Sequence, residues 1–224
     1  MGIQAVILLG APGAGKGTIA DDICQKTDYI HFSTGDMLRE AIKQGTPVGK
    51  QAEQYMTKGN LVPDKLIIEI VMQRIGRGES VAKYMFDGFP RTLEQARLLD
   101  AEFKNRGAVL TRVILLEVSK DVVLQRLTGR RTCRNCGANF HVHNIPPKKS
   151  GICDHCGGPL EQRPDDMEAT ILNRLEVFHQ QTAALIAYYK SHGILARIDS
   201  SRPRRQTVSD VMGLLEIELK HGAC

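Results

Sequence analysis

The chain has 224 residues, 42% hydrophobic and 25% charged, which is enough for one well-buried core plus a small insertion and needs no disulfide staples. Its formal charge of +5 suits an anionic partner, but the basic residues are scattered, Trp is absent and aromatics are only 5%, which argues for small phosphate ligands and against nucleic acid. No apolar stretch approaches a membrane span and no secretory leader precedes the first apolar run, so a cytoplasmic protein with no membrane partner is expected.

Up to about residue 130, apolar strands alternate with amphipathic helices, which predicts an α/β fold with a central parallel sheet flanked by helices. The first strand, Ile3 to Leu9, runs into Gly10-Ala11-Pro12-Gly13-Ala14-Gly15-Lys16-Gly17-Thr18 and then a helical pattern. Such a loop can turn its backbone N–H groups toward one anion at a helix N-terminus. The spacing fits G-x-x-x-x-G-K with the hydroxyl one place late, at Thr18, and predicts a nucleotide phosphate as ligand. A second strand, Tyr29 to Phe32, leads to Ser33, an expected N-cap before Asp36 and Met37-Leu38. The helical stretch from Thr34 to Gly76, broken at Gly45-Thr46-Pro47 and Val62-Pro63, is too long for one crossover and is expected to stand out as a small subdomain.

The third strand, Tyr84 to Asp87, ends in a carboxylate beside the glycine loop, where it can hold the waters of Mg²⁺. Gly88 then allows a ligand close approach, and Arg91 offers a fork matched to phosphate. A fourth strand is predicted over Arg112 to Glu117. From Arg131 to about Asp165 helical periodicity vanishes, and cysteine, glycine and proline are dense, as in an inserted module. Cys133 and Cys136, then Cys153 and Cys156, form two C-x2-C pairs separated by residues 137–152, a spacing that closes four thiolates around Zn²⁺. Four sulfurs leave no open position, so this metal is structural. His141, His143 and His155 lie nearby, but the thiol set is already complete. Pro164-Asp165-Asp166 reads as a helix start, followed by one long helix from Met167 to about Ser191. A fifth strand, Ile194 to Ile198, and a last helix, Arg205 to His221, close the chain; Cys24 reads as a buried apolar residue and Cys224 is unassigned.

GAPGAGKGT, Ser33-Thr34-Gly35-Asp36-Met37-Leu38-Arg39, DGFPRT and Leu127-Thr128-Gly129-Arg130-Arg131 occur in an order that resembles the adenylate kinase family across nearly the whole chain. The cysteine quartet resembles that family's zinc-bearing, long-lid form. The resemblance implies a P-loop core of residues 1–32, 63–128 and 167–224, a nucleoside-monophosphate-binding subdomain of 33–62, and a mobile zinc lid of 129–166. It further implies a monomeric, Mg²⁺-dependent nucleoside monophosphate kinase that moves the γ-phosphoryl of ATP to AMP reversibly, giving two ADP.

Matched motif by motif, the ATP phosphates fall on Gly13, Ala14, Gly15, Lys16, Gly17 and Thr18, with Lys16 reaching the β and γ groups. Arg126 and Arg130 flank the lid hinge, Asn139 and Phe140 meet ATP from the lid, and adenine meets backbone near Arg202. AMP falls on Thr34, Arg39, Asn60, Leu61, Val62, Gly88, Phe89, Pro90, Arg91, Gln95, Arg163 and Arg174. Arg163 and Arg174 resemble the family's pair that closes over the transferring phosphate, and their spacing puts them on one face if both are helical. The charge-neutralising catalytic set is then Lys16, Arg91, Arg126, Arg130, Arg163 and Arg174, with Mg²⁺ held through water by Asp36 and Asp87 as well as Thr18. This chain has Ser200 where the family usually has Gly; the contact there is backbone, so adenine binding is expected to survive.

Two other readings use the same motifs. One is a kinase of a different nucleoside monophosphate. The other is a zinc-ribbon nucleic-acid-binding ATPase, which calls for a basic stripe, whereas residues 133–156 carry only Arg134 and Lys148-Lys149 against Asp154.

Overall fold

The structure is a computed structural model that describes residues 3–76 and 83–221, with side chains to residue 215, so Cys224 lies outside the described residues. β1 (Gln4–Leu9) leads through the glycine loop to α1 (Lys16–Cys24). β2 (Tyr29–Ser33) is followed by α2 (Thr34–Lys43), α3 (Pro47–Met56) and α4 (Asp64–Gly76). Ser33 caps α2 by accepting from the Asp36 amide, and Thr46 caps α3 by accepting from Gly49, with Pro47 in the first turn, where its missing N–H is not needed.

β3 (Lys83–Asp87), α5 (Leu93–Arg106), β4 (Val109–Glu117) and α6 (Lys120–Thr128) follow. The insert contributes β5 (Arg130–Cys133), β6 (Asn139–His141) and β7 (Leu160–Glu161). α7 (Glu168–Val177), α8 (Ala184–Ser191), β8 (Leu195–Asp199) and α9 (Arg204–His221) complete the chain.

The main sheet has strand order β2-β3-β1-β4-β8, and every neighbouring pair is parallel, as the alternating pattern predicted. β1 is central and buried on both faces from Ala5 to Leu9, which is why those five residues are an unbroken apolar run. Ala5, Ile7 and Leu9 join Phe32, Phe86, Leu99 and Leu115 on one side. Val6 and Leu8 point the other way, onto Ile19 and Ile23 of α1 and Val211 of α9. The glycine loop therefore leaves a rigid strand at the carboxyl edge of the sheet, beside Asp87 at the end of β3, where open α/β sheets bind ligands.

Three expectations need correction. β4 starts at Val109 rather than Arg112, because Val109 and Leu110 already pair with Gln4 and Ala5 of β1, ahead of a register shift at Thr111, whose hydroxyl donates to the Ala5 carbonyl. Cys24 is half-buried rather than buried. The insert, which lacks helical periodicity, forms a small antiparallel sheet, β6-β5-β7, around Cys133, Phe140 and Cys153. The expected long helix is three pieces, with a wide π turn at Phe178–Thr182 between α7 and α8, closed by the Ala183 amide donating to the Phe178 carbonyl at 2.9 Å. The two halves have different partners: Ile171 and Leu175 pack on Val123 and Leu127 of α6, whereas Leu185 and Tyr189 enter the sheet core. Arg163 stands before this segment in extended backbone, ahead of a separate 3-10 turn at Pro164–Asp166, so it shares no helical face with Arg174.

Candidate functional site

The loop after β1 needs its glycines for geometry. Gly13 and Gly15 have φ of 77° and 94°, a left-handed conformation that strains any side chain, and Gly15 stands at the start of α1 with no side-chain cap. The first amides of α1 are thereby presented outward as donors. Gly17 explains the late hydroxyl of the motif: a Cβ there would lie 3.1 Å from Asp87 Oδ2, so the carboxylate rests against the first helical turn. Lys16 folds back over the loop, its Nζ donating to the carbonyls of Gly10 at 2.8 Å and Ala11 at 3.0 Å. Burial lowers its pKa to about 8, with Asp87 opposing the shift.

The loop forms one wall of a cleft of about 660 Å³ that is also lined by Arg126, Arg130, Asn139, Phe140, Arg163, Ser200 and Arg202. A smaller cavity of about 60 Å³ adjoins it, lined by Thr34, Arg39, Asn60, Leu61, Val62, Gly88, Arg91, Gln95 and Arg174. The two share Gly35, Arg39, Gly88, Arg91 and Arg174. Most residues expected at ATP thus face the large cleft, and most expected at AMP face the small one.

Three placements differ. Phe89 lines neither cavity, because its ring is a buried core element against Phe86. Pro90 lines a third space of about 70 Å³ beneath Lys16. Arg163 borders the large cleft rather than the small one.

The arginines are held by defined partners. Arg130 makes a two-pronged bond to Asp166, with Nε and Nη2 each at 2.6 Å from a carboxylate oxygen. Arg174 Nη1 reaches Asp165 Oδ2 at 3.0 Å and Asp166 Oδ1 at 3.1 Å. Arg163 donates to Thr132 Oγ1 and Asn139 Oδ1, and stands 3.8 Å from Asp36. Arg39 pairs with Asp36 at 2.5 Å. Arg91 donates through Nε to the Gly88 carbonyl, and its amide donates to Gln95 Oε1 at 2.7 Å. The other end of the Gln95 amide donates to Asp64, so both ends of this buried side chain are held.

Burial, with Arg174 adding to it, lowers Arg91 to about 10; burial, with Arg130 and Arg39, lowers Arg163 to about 9. Burial alone would raise Asp36, but Arg39 and Arg163 hold it well below the usual carboxylate range. Asp87 is also lowered, because His31 and Lys16 outweigh its burial.

Several participants escaped sequence reasoning. Asp165 and Asp166 read as helix-start acids, yet they are the anchors of Arg130 and Arg174, a role marked only by their place between Arg163 and Arg174. His31 bridges two carboxylates, with Nδ1 at 2.8 Å from Asp21 and Nε2 at 3.6 Å from Asp87. Ser200 ties the walls of the large cleft together: its hydroxyl donates to the Ala14 carbonyl at 2.8 Å, and its own carbonyl accepts from Arg126 at 2.6 Å.

The four cysteines of the insert meet at one point, with Sγ atoms all within 4.8 Å of one another. Cys133 to Cys156 is 3.5 Å and Cys136 to Cys153 is 3.6 Å, close to the edge of about 3.8 Å expected for a tetrahedron with metal–sulfur bonds of about 2.3 Å. The two turns are built alike, with Gly137 donating to the Cys133 carbonyl and Gly157 to the Cys153 carbonyl. Backbone hydrogen bonds from Cys136 and Asn135 draw the Cys133 thiol down to about 6, toward the thiolate a metal requires. His141 stands apart: its Nδ1 accepts from the amides of His143 and Asn144, and its Nε2 lies 3.2 Å from the Gln125 carbonyl.

A phosphate loop facing a second cavity across a wall of arginines is the layout of a P-loop kinase that brings two nucleotides together. Residues 8–194 match the family described as Adenylate kinase. An adenylate kinase of Caldicellulosiruptor bescii is 47% identical over 213 residues, covering 95% of this chain and 99% of that protein. Those of Moorella thermoacetica and Syntrophobacter fumaroxidans are 51% and 52% identical over 88% and 87% of this chain, and 91% of each relative. The chain belongs to the adenylate kinase family.

Proposed function

We propose that this protein transfers the γ-phosphoryl group of ATP reversibly to AMP, giving two ADP, and that Mg²⁺ accompanies ATP. The observation that carries this reading is the pair of adjoining cavities, which meet at Arg39, Arg91 and Arg174 next to Lys16. The attacking AMP oxygen is already ionised near neutral pH, its second phosphate pKa being about 6, so no general base is needed. The chain's contribution is alignment of two mutually repelling polyanions and neutralisation of charge on the group in transit. In this reading Lys16 and the amides of Gly13 to Thr18 cradle the donor phosphates, Arg126 and Arg130 clamp them, Arg39 and Arg91 hold the AMP phosphate, and Arg163 and Arg174 close over the γ-phosphoryl. Mg²⁺ supplies charge neutralisation on the donor phosphates, and Asp87, with Asp36 and Thr18, would hold its waters.

We further assign residues 1–32, 63–128 and 167–224 to the core, 33–62 to the AMP subdomain and 129–166 to a lid stiffened by structural Zn²⁺ in a cytoplasmic monomer. Two contacts support flaps that close together and keep out water, the competing nucleophile. Lys43 Nζ of the AMP subdomain reaches the Asn135 carbonyl of the lid at 3.4 Å, flap to flap, and Asn173 of the core holds the AMP subdomain by donating to the Lys58 carbonyl at 2.7 Å. A coupled assay with AMP, CMP, UMP and GMP as acceptors tests the substrate. AMP should be strongly preferred; equal or better use of another acceptor refutes the assignment.

A further inference from the structure

The segment from α7 to α8 would be one straight helix but for the wide turn at Phe178–Thr182, a kind of interruption that often lies beside functional sites. Its consequence is angular. In an unbroken α-helix the residue eight positions after Arg174 sits about 80° round the axis from it, whereas absorbing one residue restores the spacing of i and i+7, within about 20° of the same face. That residue is Thr182. It is buried while its neighbours His179, Gln180 and Gln181 are exposed, and its Oγ1 donates to the Arg91 carbonyl at 2.9 Å.

The region is not packed solid on this side. Thr182, Phe178, Lys16, Arg91 and Arg174 line the same space of about 70 Å³, so the loop bearing Arg91 has room to shift. Arg91 and Arg174 also repel each other across it. We propose that Thr182 is a positioning residue for phosphoryl transfer: the wide turn aims its hydroxyl at Arg91, joining the helix that carries Arg174 to the loop that carries Arg91. The backbone that carries Arg91 is then fixed relative to the helix that carries Arg174. The inference rests on the reading of Arg91 and Arg174 as phosphate ligands.

Thr182→Val keeps shape and volume and removes the hydroxyl, Thr182→Ser keeps it, and Arg91→Ala removes the group it acts through. One hydrogen bond of ordinary strength predicts that Thr182→Val lowers kcat/KM for AMP about three- to tenfold, with the ATP KM unchanged within about twofold. Thr182→Ser should restore kcat/KM to within about twofold of the unaltered enzyme. In an Arg91→Ala background the valine substitution should have no further effect. A full additional loss in that background, or an unaffected valine variant beside a damaged Arg91→Ala, overturns the role of Thr182. An Arg91→Ala enzyme with unaltered kinetics overturns the reading of Arg91 itself. Should the valine variant melt below the assay temperature, Thr182→Ala makes the same comparison.

Discussion

Asp166→Asn should unsettle both stability and chemistry. Asp166 is fully buried, accepts two bonds at 2.6 Å from Arg130 and lies 3.1 Å from Arg174 Nη1. Asparagine keeps the shape but removes the charge, and turns an NH₂ group toward a guanidinium. Breaking a buried ion pair from one side costs about 3–5 kcal/mol, because the surviving charge stays buried without its partner. Asp165, 3.0 Å from Arg174, remains to compensate that arginine, so the loss should lie at the lower end, about 3 kcal/mol. For a chain of this size 1 kcal/mol moves the melting temperature by about 2–4 °C, so a fall of about 6–12 °C is expected by calorimetry. Turnover should drop at least about tenfold, equivalent to 1.4 kcal/mol, because Arg130 loses its fixed orientation. Added polyphosphate should raise the variant's melting temperature more than that of the unaltered protein, since it supplies the missing anion. A melting temperature within about 1 °C of the unaltered protein, with unchanged turnover, would refute the view that this carboxylate organises the arginines.

His31 gives a dependence on pH. Its burial would lower its pKa, but Asp21 and Asp87 outweigh burial and raise it to about 10, above the value of about 6.5 in the unfolded chain. The stabilisation is therefore fully present below pH 6.5 and is lost as pH rises through about 10. The stability difference between the unaltered protein and His31→Gln should be largest near pH 6 and shrink toward pH 10; a difference that grows over that range contradicts the bridge. Stripping the metal with a chelator should lower the melting temperature by about 5 °C or more and cut activity, given that four-cysteine sites contribute folding energy directly; unchanged melting and activity would remove the structural role of the metal. A Cβ on Gly129 would lie 2.4 Å from His141 Nε2, so Gly129→Ala should force the ring off the Gln125 carbonyl at a cost of about 1–3 kcal/mol, and a neutral effect on melting would refute this contact as a constraint.

What the sequence revealed and what it hid divide by the distance over which the information acts. The glycine loop was legible because its strand, its glycines, Lys16 and its helix are covalent neighbours, and each carries a local conformational demand. The cysteine quartet was legible because two short turns each fix two sulfurs. The pairing of Asp166 with Arg130 spans 36 positions and has no local signature. The wide turn was hidden for another reason: Ile171, Leu175, Phe178, Thr182, Leu185 and Tyr189 keep a helical spacing straight through it, so periodicity predicts one helix. Only the change of partner, from α6 to the sheet core, requires the helix to turn about its axis. Likewise Arg163 and Arg174 reach the same cleft without sharing a helix, because a 3-10 turn and two aspartates bring them there.

These partial neutralisations explain how a site so rich in cations folds at all. Lys16, Arg39, Arg91, Arg126, Arg130, Arg163, Arg174, Arg202 and Arg204 outnumber Asp36, Asp87 and Asp165 along the large cleft and its neighbour, even with Asp166, which stands against Arg130, added to the acids. Fully paired arginines would have no reason to meet a phosphate, and fully unpaired ones would be expelled from so buried a place. The chain lies between these limits. Arg130 is satisfied by Asp166, whereas among the described residues the Arg91 guanidinium donates to one neutral acceptor, the Gly88 carbonyl, and Arg163 relies on Thr132 and Asn139, with Asp36 at 3.8 Å. Burial and mutual repulsion accordingly lower Arg91 to about 10 and Arg163 to about 9, the mark of charges held where an anion is required. Anion binding relieves that repulsion, so the energy spent in gathering the cations returns as affinity for a polyphosphate spanning the two cavities. If these cations hold phosphates as proposed, the aspartates belong to the binding site although none is a good phosphate ligand: they set how much positive charge remains.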